Sequence, residues 1–430
     1  MSDVTGNASP PDLKLSPSAV IGWCFYDWAN SAFPTVITTF VFAAYFTKAV
    51  AADPISGTEQ WGYAISVSAL LVALTGPVLG AIADHAGARK PWLAVLTVVC
   101  VTATALLWFT RPDPADVIWA LVLVALANYA FEIGMVFYNA MLADVAPPAM
   151  IGRISGWGWG LGYAGGLLCL AVALVLFVQP DPPLFGLDPE SAEPVRATSL
   201  LVAVWFALFT VPLFILTPDT PSSGLSVLES MRRGLRELRL TMARLREYGN
   251  IVRFLIARMF YSDGLTTLFA FGGIYAAGTF GMEFSELIVF GIALNVTAGI
   301  GAALFGWVDD RIGPKRTIVI AVCALAVLGA AVLAAPSKAW FWAAAMPLGI
   351  FVGPAQAASR SLMTHLAPPE VRNEMFGLFA LSGKATAFLG PAVLGWVTAV
   401  FDSQRAGMAT IIVFFAVGLV LLVPVRDTRR

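Results

Sequence analysis

Six charged side chains lie inside apolar stretches of this chain: Asp27, Glu132, Arg258, Asp263, Arg360 and Lys384. Where such a stretch crosses a bilayer, a charge at its centre costs about 2.5–3.5 kcal/mol on insertion scales. Each must therefore face protein, a partner or water. Three acids and three bases brought together could bind a charged solute, carry a proton, or neutralise one another. Burial raises a carboxyl pKa and a nearby cation lowers it. An acid whose partner leaves can thus exchange a proton within one working cycle.

The elements that must hold these charges follow from composition. Of 430 residues, 58% are hydrophobic and 12% charged, with a net charge of -1. Soluble proteins are roughly 45–50% apolar and about 25% charged. A soluble globular domain, a disordered chain and a nucleic-acid binder are excluded. A membrane-spanning helix needs about 20 apolar residues. Twelve runs qualify, at 18–47, 60–83, 92–110, 116–143, 154–178, 198–217, 252–279, 286–308, 317–335, 339–365, 374–400 and 406–425, numbered here as spans 1 to 12. The first 17 residues are polar and lack a signal-peptide pattern, so span 1 is expected to remain as an anchor. Cys24, Cys100, Cys169 and Cys323 lie in apolar runs without paired spacing, which indicates neither disulfides nor a metal site. No nucleotide-binding Gly-x-x-x-x-Gly-Lys-Ser/Thr loop and no nucleophile–histidine set occurs. Neither ATP hydrolysis, enzymatic catalysis nor a cofactor is expected.

Lys and Arg set the orientation. Segments on the side of the N-terminus carry 18 of the 26 bases, the opposite loops and span ends five, and three lie within spans. Both termini are therefore expected in the cytoplasm of a cell's inner membrane. The expected organisation is a tail at 1–17, a six-helix bundle at 18–217, a basic linker at 218–250, a second bundle at 251–425 and a tail at 426–430. In the linker, Leu225, Leu228, Met231, Leu235, Leu238, Met242 and Leu245 recur at helical steps. This predicts a charged helix with one apolar face, lying under the membrane.

The two bundles read as repeats. Gly80, Asp84, Gly87, Arg89 and Lys90 after span 2 recur 226 residues later as Gly306, Asp310, Gly313, Lys315 and Arg316. Ala146-Pro147-Pro148 with Arg153 and Gly156, after span 4, is echoed near an offset of 221 by Ala367-Pro368-Pro369 with Glu374 and Gly377. Repeats in transporters often meet at a binding site near the bilayer midplane. The loop acids read as gate latches. Asp84 can receive Arg89 and the N-terminus of a neighbouring helix; Asp144 is expected with Arg153, and Asp310 with Lys315 or Arg316.

Gly80-x-x-x-Asp84-x-x-Gly87-x-Arg89-Lys90 resembles the signature loop of the major facilitator superfamily. Within that superfamily, Phe25-Tyr-Asp27-Trp-Ala-Asn30-Ser-Ala-Phe33, Gln356-Ala-Ala-Ser-Arg360-Ser361 and Ala380-Leu-Ser-Gly383-Lys384-Ala-Thr386 resemble the vacuole-effluxer-like branch. His85 and Ala88 replace bases common in the superfamily loop, so contacts of those bases are not carried over. The resemblance implies an all-α major facilitator fold of twelve spans. It further implies a central cavity lined by spans 1, 4, 7 and 10, and transport of amino acids. Five of the six buried charges fall on those four spans.

Against that cavity, Asp27, about 14 Å into its helix and beside Tyr26 and Asn30, reads as a substrate or proton site, or as an ion pair locking span 1 to span 7 or 11. Glu132, with Asn128 one turn earlier, is a proton-carrier candidate. Arg258 and Asp263 are five residues apart, share no helix face, and are each expected to pair across the cavity. Arg360 and Gln356 share a face and suit a carboxylate, since guanidinium is a planar fork of donors; a structural pair is the other reading. Lys384 is a further site candidate. Gly156, Gly158, Gly160, Gly162, Gly165 and Gly166 in span 5 read as packing or as a sliding surface. Trp157 and Trp159 read as packing or interface anchors, and His85 and His365 as solvated or capping groups. The leading function is a monomeric, proton-coupled secondary transporter of a small polar solute. A multidrug-type exporter and a transporter-like receptor are the alternatives.

Overall fold

A computed structural model describes residues 16–243, 247–282 and 284–427. Leu245 and the outer parts of both expected tails lie outside the described residues. The described chain is helical. Spans 1 to 6 are Pro17–Val50, Pro54–Ala86, Lys90–Phe109, Pro114–Val145, Pro148–Val178 and Glu193–Leu216. Spans 7 to 12 are Gly249–Phe280, Phe284–Ile312, Pro314–Leu333, Lys338–Leu366, Pro369–Phe401 and Gln404–Leu422. Among the described residues, eleven helical segments are long and apolar enough to cross a membrane. Span 7 is 32 residues long but more polar, because it carries Arg258 and Asp263.

Several starts follow from local chemistry. Ser16, Ser337 and Ser403 accept backbone N–H groups of Ala19, Trp340 and Ala406 at the first turns of spans 1, 10 and 12, as N-cap serines do. Pro17 stands at a first helical position, where its missing N–H costs nothing. Gly87 and Gly313, equivalent in the repeat, both have positive φ, 89° and 95°. Residues with a Cβ rarely adopt that backbone, which explains the repeated glycine in both loops.

Spans 1 and 11 depart most from continuous α-helix. Span 1 is α-helical to Asn30, then widens into π-helical turns at Phe33–Phe40 and Phe46–Val50. Span 11, expected as one helix over 374–400, is two: Arg372–Lys384 and Leu389–Phe401, with turns between them. Such breaks are tolerated at membrane depth only where protein or a cavity covers the backbone.

Buried apolar residues form two clusters. One is drawn from residues 19–213, the other from 251–425 joined by Val136 and Ala140. The outer faces are apolar as well, with Leu70 and Leu74 of span 2 and Ile118 and Val122 of span 4 exposed, as lipid contact requires. The linker helix Val227–Ala243 docks on the protein by a side other than its Leu/Met face. Leu228, Met231 and Leu235 are exposed, while Ser230, Gly234 and Thr241 are buried. A Cβ on Gly234 would sit 2.8 Å from the backbone of Ala81 and Ile82. The small face docks on span 2 because only small residues allow that approach.

Candidate functional site

A buried ion pair joins the two bundles. Arg360 Nη1 donates to Asp27 Oδ2 at 3.0 Å and to Asn139 Oδ1 at 3.3 Å. Its Nε reaches Ser155 Oγ at 2.9 Å and its Nη2 the Ser155 carbonyl at 2.6 Å. The guanidinium carbon lies 4.7 Å from the ring centre of Trp23 and 5.7 Å from those of Tyr138 and Trp159. The Arg360 and Asp27 side chains are 2% and 7% exposed. Span 5 makes the meeting possible: a Cβ on Gly158 would lie 2.6 Å from Asp27 Oδ2 and 3.0 Å from Arg360 Nη2. The partner of Asp27 is therefore on span 10, not span 7 or 11. Most of the donor fork of Arg360 is committed inside the protein. Gln356 does not share its task, since its Oε1 accepts from Tyr163 Oη at 2.8 Å.

Beside this pair lies a cavity of about 330 Å³. Lys384 Nζ donates to Glu132 Oε1 across it at 2.7 Å, joining span 11 to span 4. Both side chains stay partly open, at 29% and 21% exposure. Arg258 also lines the cavity. Its Nη1 donates to the Phe379 carbonyl and the Ser382 hydroxyl, each at 2.7 Å, and its guanidinium carbon lies 3.6 Å from the Phe379 ring centre. Arg258 thus finds dipoles and a ring where an acid was expected, and Asp263 is 2% exposed and joins no ion pair among the described residues. Glycine at 383 lets span 11 come close to the Arg258 guanidinium, which saturates it locally. Trp159 and Phe269 line both this cavity and a second of about 490 Å³, mostly apolar, reaching Thr39, Tyr275 and Phe341.

Three other candidates do not line the cavity. Tyr26 Oη bonds Thr97 Oγ1 at 3.0 Å, Asn128 Nδ2 donates to Ser68 Oγ at 2.9 Å, and Asn30 Nδ2 contacts Met135 Sδ at 3.4 Å. His85 and His365 each bond the carbonyl four residues back in their own helices.

At the end bearing the basic loops the bundles are latched. Asp84 accepts the Asn373 N–H at 3.1 Å, its side-chain amide at 2.7 Å and the Glu374 N–H at 2.9 Å, capping the first helix of span 11. Asp310 accepts the Arg153 N–H at 3.1 Å and its Nε at 2.9 Å, capping span 5. Asp84 and Asp310 are repeat equivalents, as are Glu374 and Arg153, so each bundle caps a helix of the other. Asp144 pairs with Arg89 and, at 3.2 Å, with Arg372, rather than with Arg153. Lys315 Nζ donates to the Val423 carbonyl at 2.7 Å instead of serving Asp310. Asp84 receives a helix N-terminus as expected, one that belongs to the opposite bundle, while Arg89 pairs with Asp144 inside its own bundle. The caps cross because helix N-termini of the opposite bundle offer free N–H groups and a positive dipole end. Close backbone approach completes the latch: a Cβ on Gly80 would lie 2.8 Å from Glu374 N, and one on Gly306 2.8 Å from the Arg153 Cα.

The family described as vacuole effluxer Atg22 like matches residues 58–430. The chain belongs to this family. Over 410 residues, covering 93% of each chain, the Atg22-like protein is 28% identical to YxiO, an uncharacterised MFS-type transporter of Bacillus subtilis strain 168. It is 27% identical over 293 residues to autophagy-related protein 22 of Cryptococcus neoformans, covering 64% of this chain and 52% of that one. The chain thus spans about half the length of that fungal relative. The crystallised proton:xylose symporter XylE superposes with a TM-score of 0.74 at 14% identity over 96% of both chains. The fold is that of the major facilitator superfamily, and the chain is a multi-pass membrane transporter.

Several residues that organise this Atg22-like site had no warning in the sequence. Ser155, Asn139, Trp23 and Tyr138 hold Arg360, and Arg372 and Asn373 complete the latches. Asp219 accepts the Arg89 N–H at 2.9 Å. Short polar side chains in helices usually bond their own backbone, so their type carries no signal of a distant partner. Arg372 was visible only as one more base at the basic end.

Proposed function

We propose that this Atg22-like transporter moves a small zwitterion, an amino acid or related organic anion, across the cell's inner membrane by proton-coupled alternating access. Residues 18–217 and 251–425 are the moving bodies, joined by the linker 218–250, and the chain works as a monomer. Both termini are cytoplasmic, so the latched basic end faces the cytoplasm and the described conformation is closed on that side.

The observation that carries this reading is the cavity of about 330 Å³ crossed by the partly open Lys384–Glu132 pair. Its volume is at the small end of the roughly 300–1,000 Å³ of small-molecule sites. A solute carboxylate entering beside Lys384 and Arg258 would draw Lys384 away from Glu132. Glu132, losing its cation, then takes a proton or the solute's ammonium. Asp27–Arg360 joins the bundles and does not contact solute, because its donors are committed to Ser155 and Asn139.

Proteoliposomes with an imposed pH gradient should accumulate labelled amino acid, and the gradient should be dispensable for counterflow. If no amino acid, peptide or organic anion is taken up or exchanged, the reading fails. A multidrug-type exporter is favoured instead only by the apolar cavity of about 490 Å³. Exchange of lipophilic cations, with no response to amino acids, would select it.

A further inference from the structure

Span 7 and the break in span 11 run side by side. Glycine at 383 faces the Arg258 guanidinium, and a Cβ on Gly390 would lie 3.2 Å from the Asp263 carbonyl and press on the Thr267 hydroxyl. Between these two contacts, Thr386 in the break interacts with the Asp263 carboxylate. Asp263 and Thr267 lie one turn apart on span 7 and are 2% and 1% exposed. Asp263 Oδ2 and Thr267 Oγ1 have no hydrogen-bond partner among the described residues. Two buried oxygens one helical turn apart and left unsatisfied are costly, and such groups in native proteins call for a partner such as a water or an ion.

The neighbouring bases are engaged elsewhere: Lys384 on Glu132, Arg258 on the Phe379 carbonyl and Ser382. What remains is one carboxylate, two hydroxyls and a stretch, 385–388, outside regular α-helix. The helix Arg372–Lys384 ends there, so its negative dipole end adds to the same place. A proton needs only the carboxylate. A single negative charge ringed by neutral oxygens matches a hard monovalent cation, and broken helices of secondary transporters hold Na⁺ through unwound carbonyls and helix C-terminal ends.

We propose that Asp263, Thr267 and Thr386, with backbone oxygens of the span 11 break, form a sodium site. It rests on the transporter reading only in making the bound ion a coupling ion. Binding would pull the two helices of span 11 and span 7 together two residues from Lys384, and so set the geometry of the solute cavity.

The test uses the purified full chain, with NaCl replaced by KCl or choline chloride at constant ionic strength. Sodium should raise the unfolding temperature by about 1–2 °C, as a ligand near tenfold its Kd does in a chain of this length, while potassium and choline should not. Asp263→Asn should abolish the shift. Thr267→Val and Thr386→Val, which keep volume and remove an oxygen, should weaken sodium affinity at least tenfold, and they decide the matter if Asp263→Asn does not fold. No sodium-specific shift in the parent protein, or a shift untouched by the threonine variants, overturns the site. Amino-acid counterflow in choline medium separates the two claims: if it persists without any sodium effect, the transporter reading stands and the sodium site falls.

Discussion

Two buried ion pairs that look alike in the sequence differ in what they can do. Asp27–Arg360 is closed to water and Lys384–Glu132 is not. Removing one partner of a fully buried pair leaves an uncompensated charge, a loss of about 3–5 kcal/mol. Asp27→Asn is therefore expected to lower the unfolding temperature sharply and to impair uptake and counterflow alike. Lys384→Met should leave the folded protein recoverable. It should raise KM for solute by about 10–100-fold, the equivalent of losing a charge-assisted hydrogen bond of about 1.5–3 kcal/mol. Glu132→Gln should spare counterflow and remove the response to a pH gradient. Uptake assays with and without the gradient check both. The presence of all six charges was legible because charge is rare in this chain. The pairing of Asp27 with Arg360 was not, since it depends on Gly158 and Ser155 of span 5, residues whose types predict packing.

At the level of helices, glycine decides which elements touch. Gly158→Ala places a methyl group against Asp27, Trp23 and Arg360. Overpacking of about 1–3 kcal/mol should appear as a lower unfolding temperature and loss of transport, while Gly62→Ala, with nothing within 4 Å, should be silent. The caps predict conformational bias. Asp84→Ala or Asp310→Ala removes a helix cap of about 0.5–2 kcal/mol from the latched state alone. Either should shift the open-to-latched ratio about 2–30-fold, seen as longer spin-label distances between the basic ends of spans 2 and 11 or 5 and 8. Helix existence and most boundaries were readable from apolar runs and flanking Pro, Gly and Ser. The break in span 11 was not, because Ala385-Thr386-Ala387-Phe388 contains no helix breaker. Its neighbours, Thr267 and Asp263, come from a distant part of the chain.

For the whole molecule, the basic loops cluster at one end, and the latches, the linker helix and the repeat glycines gather there. A fluorescent protein fused to the C-terminus should glow. Alkaline phosphatase should be active when inserted in the loop at 179–192 and inactive at the C-terminus. The reverse pattern would invert the proposed orientation. The duplication was legible in the paired motifs. That each bundle would cap the other was not, since a repeat offset says nothing about which copy an acid faces. The energies of the cross-bundle contacts also have a mechanical meaning. Each latch pair keeps one partly open side chain, Asp144 beside Arg89 at 35% and Arg153 beside Asp310 at 30% exposure, so water offsets part of the cost of breaking it. Asp27–Arg360, closed to water on both sides, costs more. The cheapest motion keeps the deep pair made and parts the ends, as a see-saw turns on its fulcrum, so the distance between Asp27 and Arg360 should be the one inter-bundle separation that barely changes as the transporter turns over.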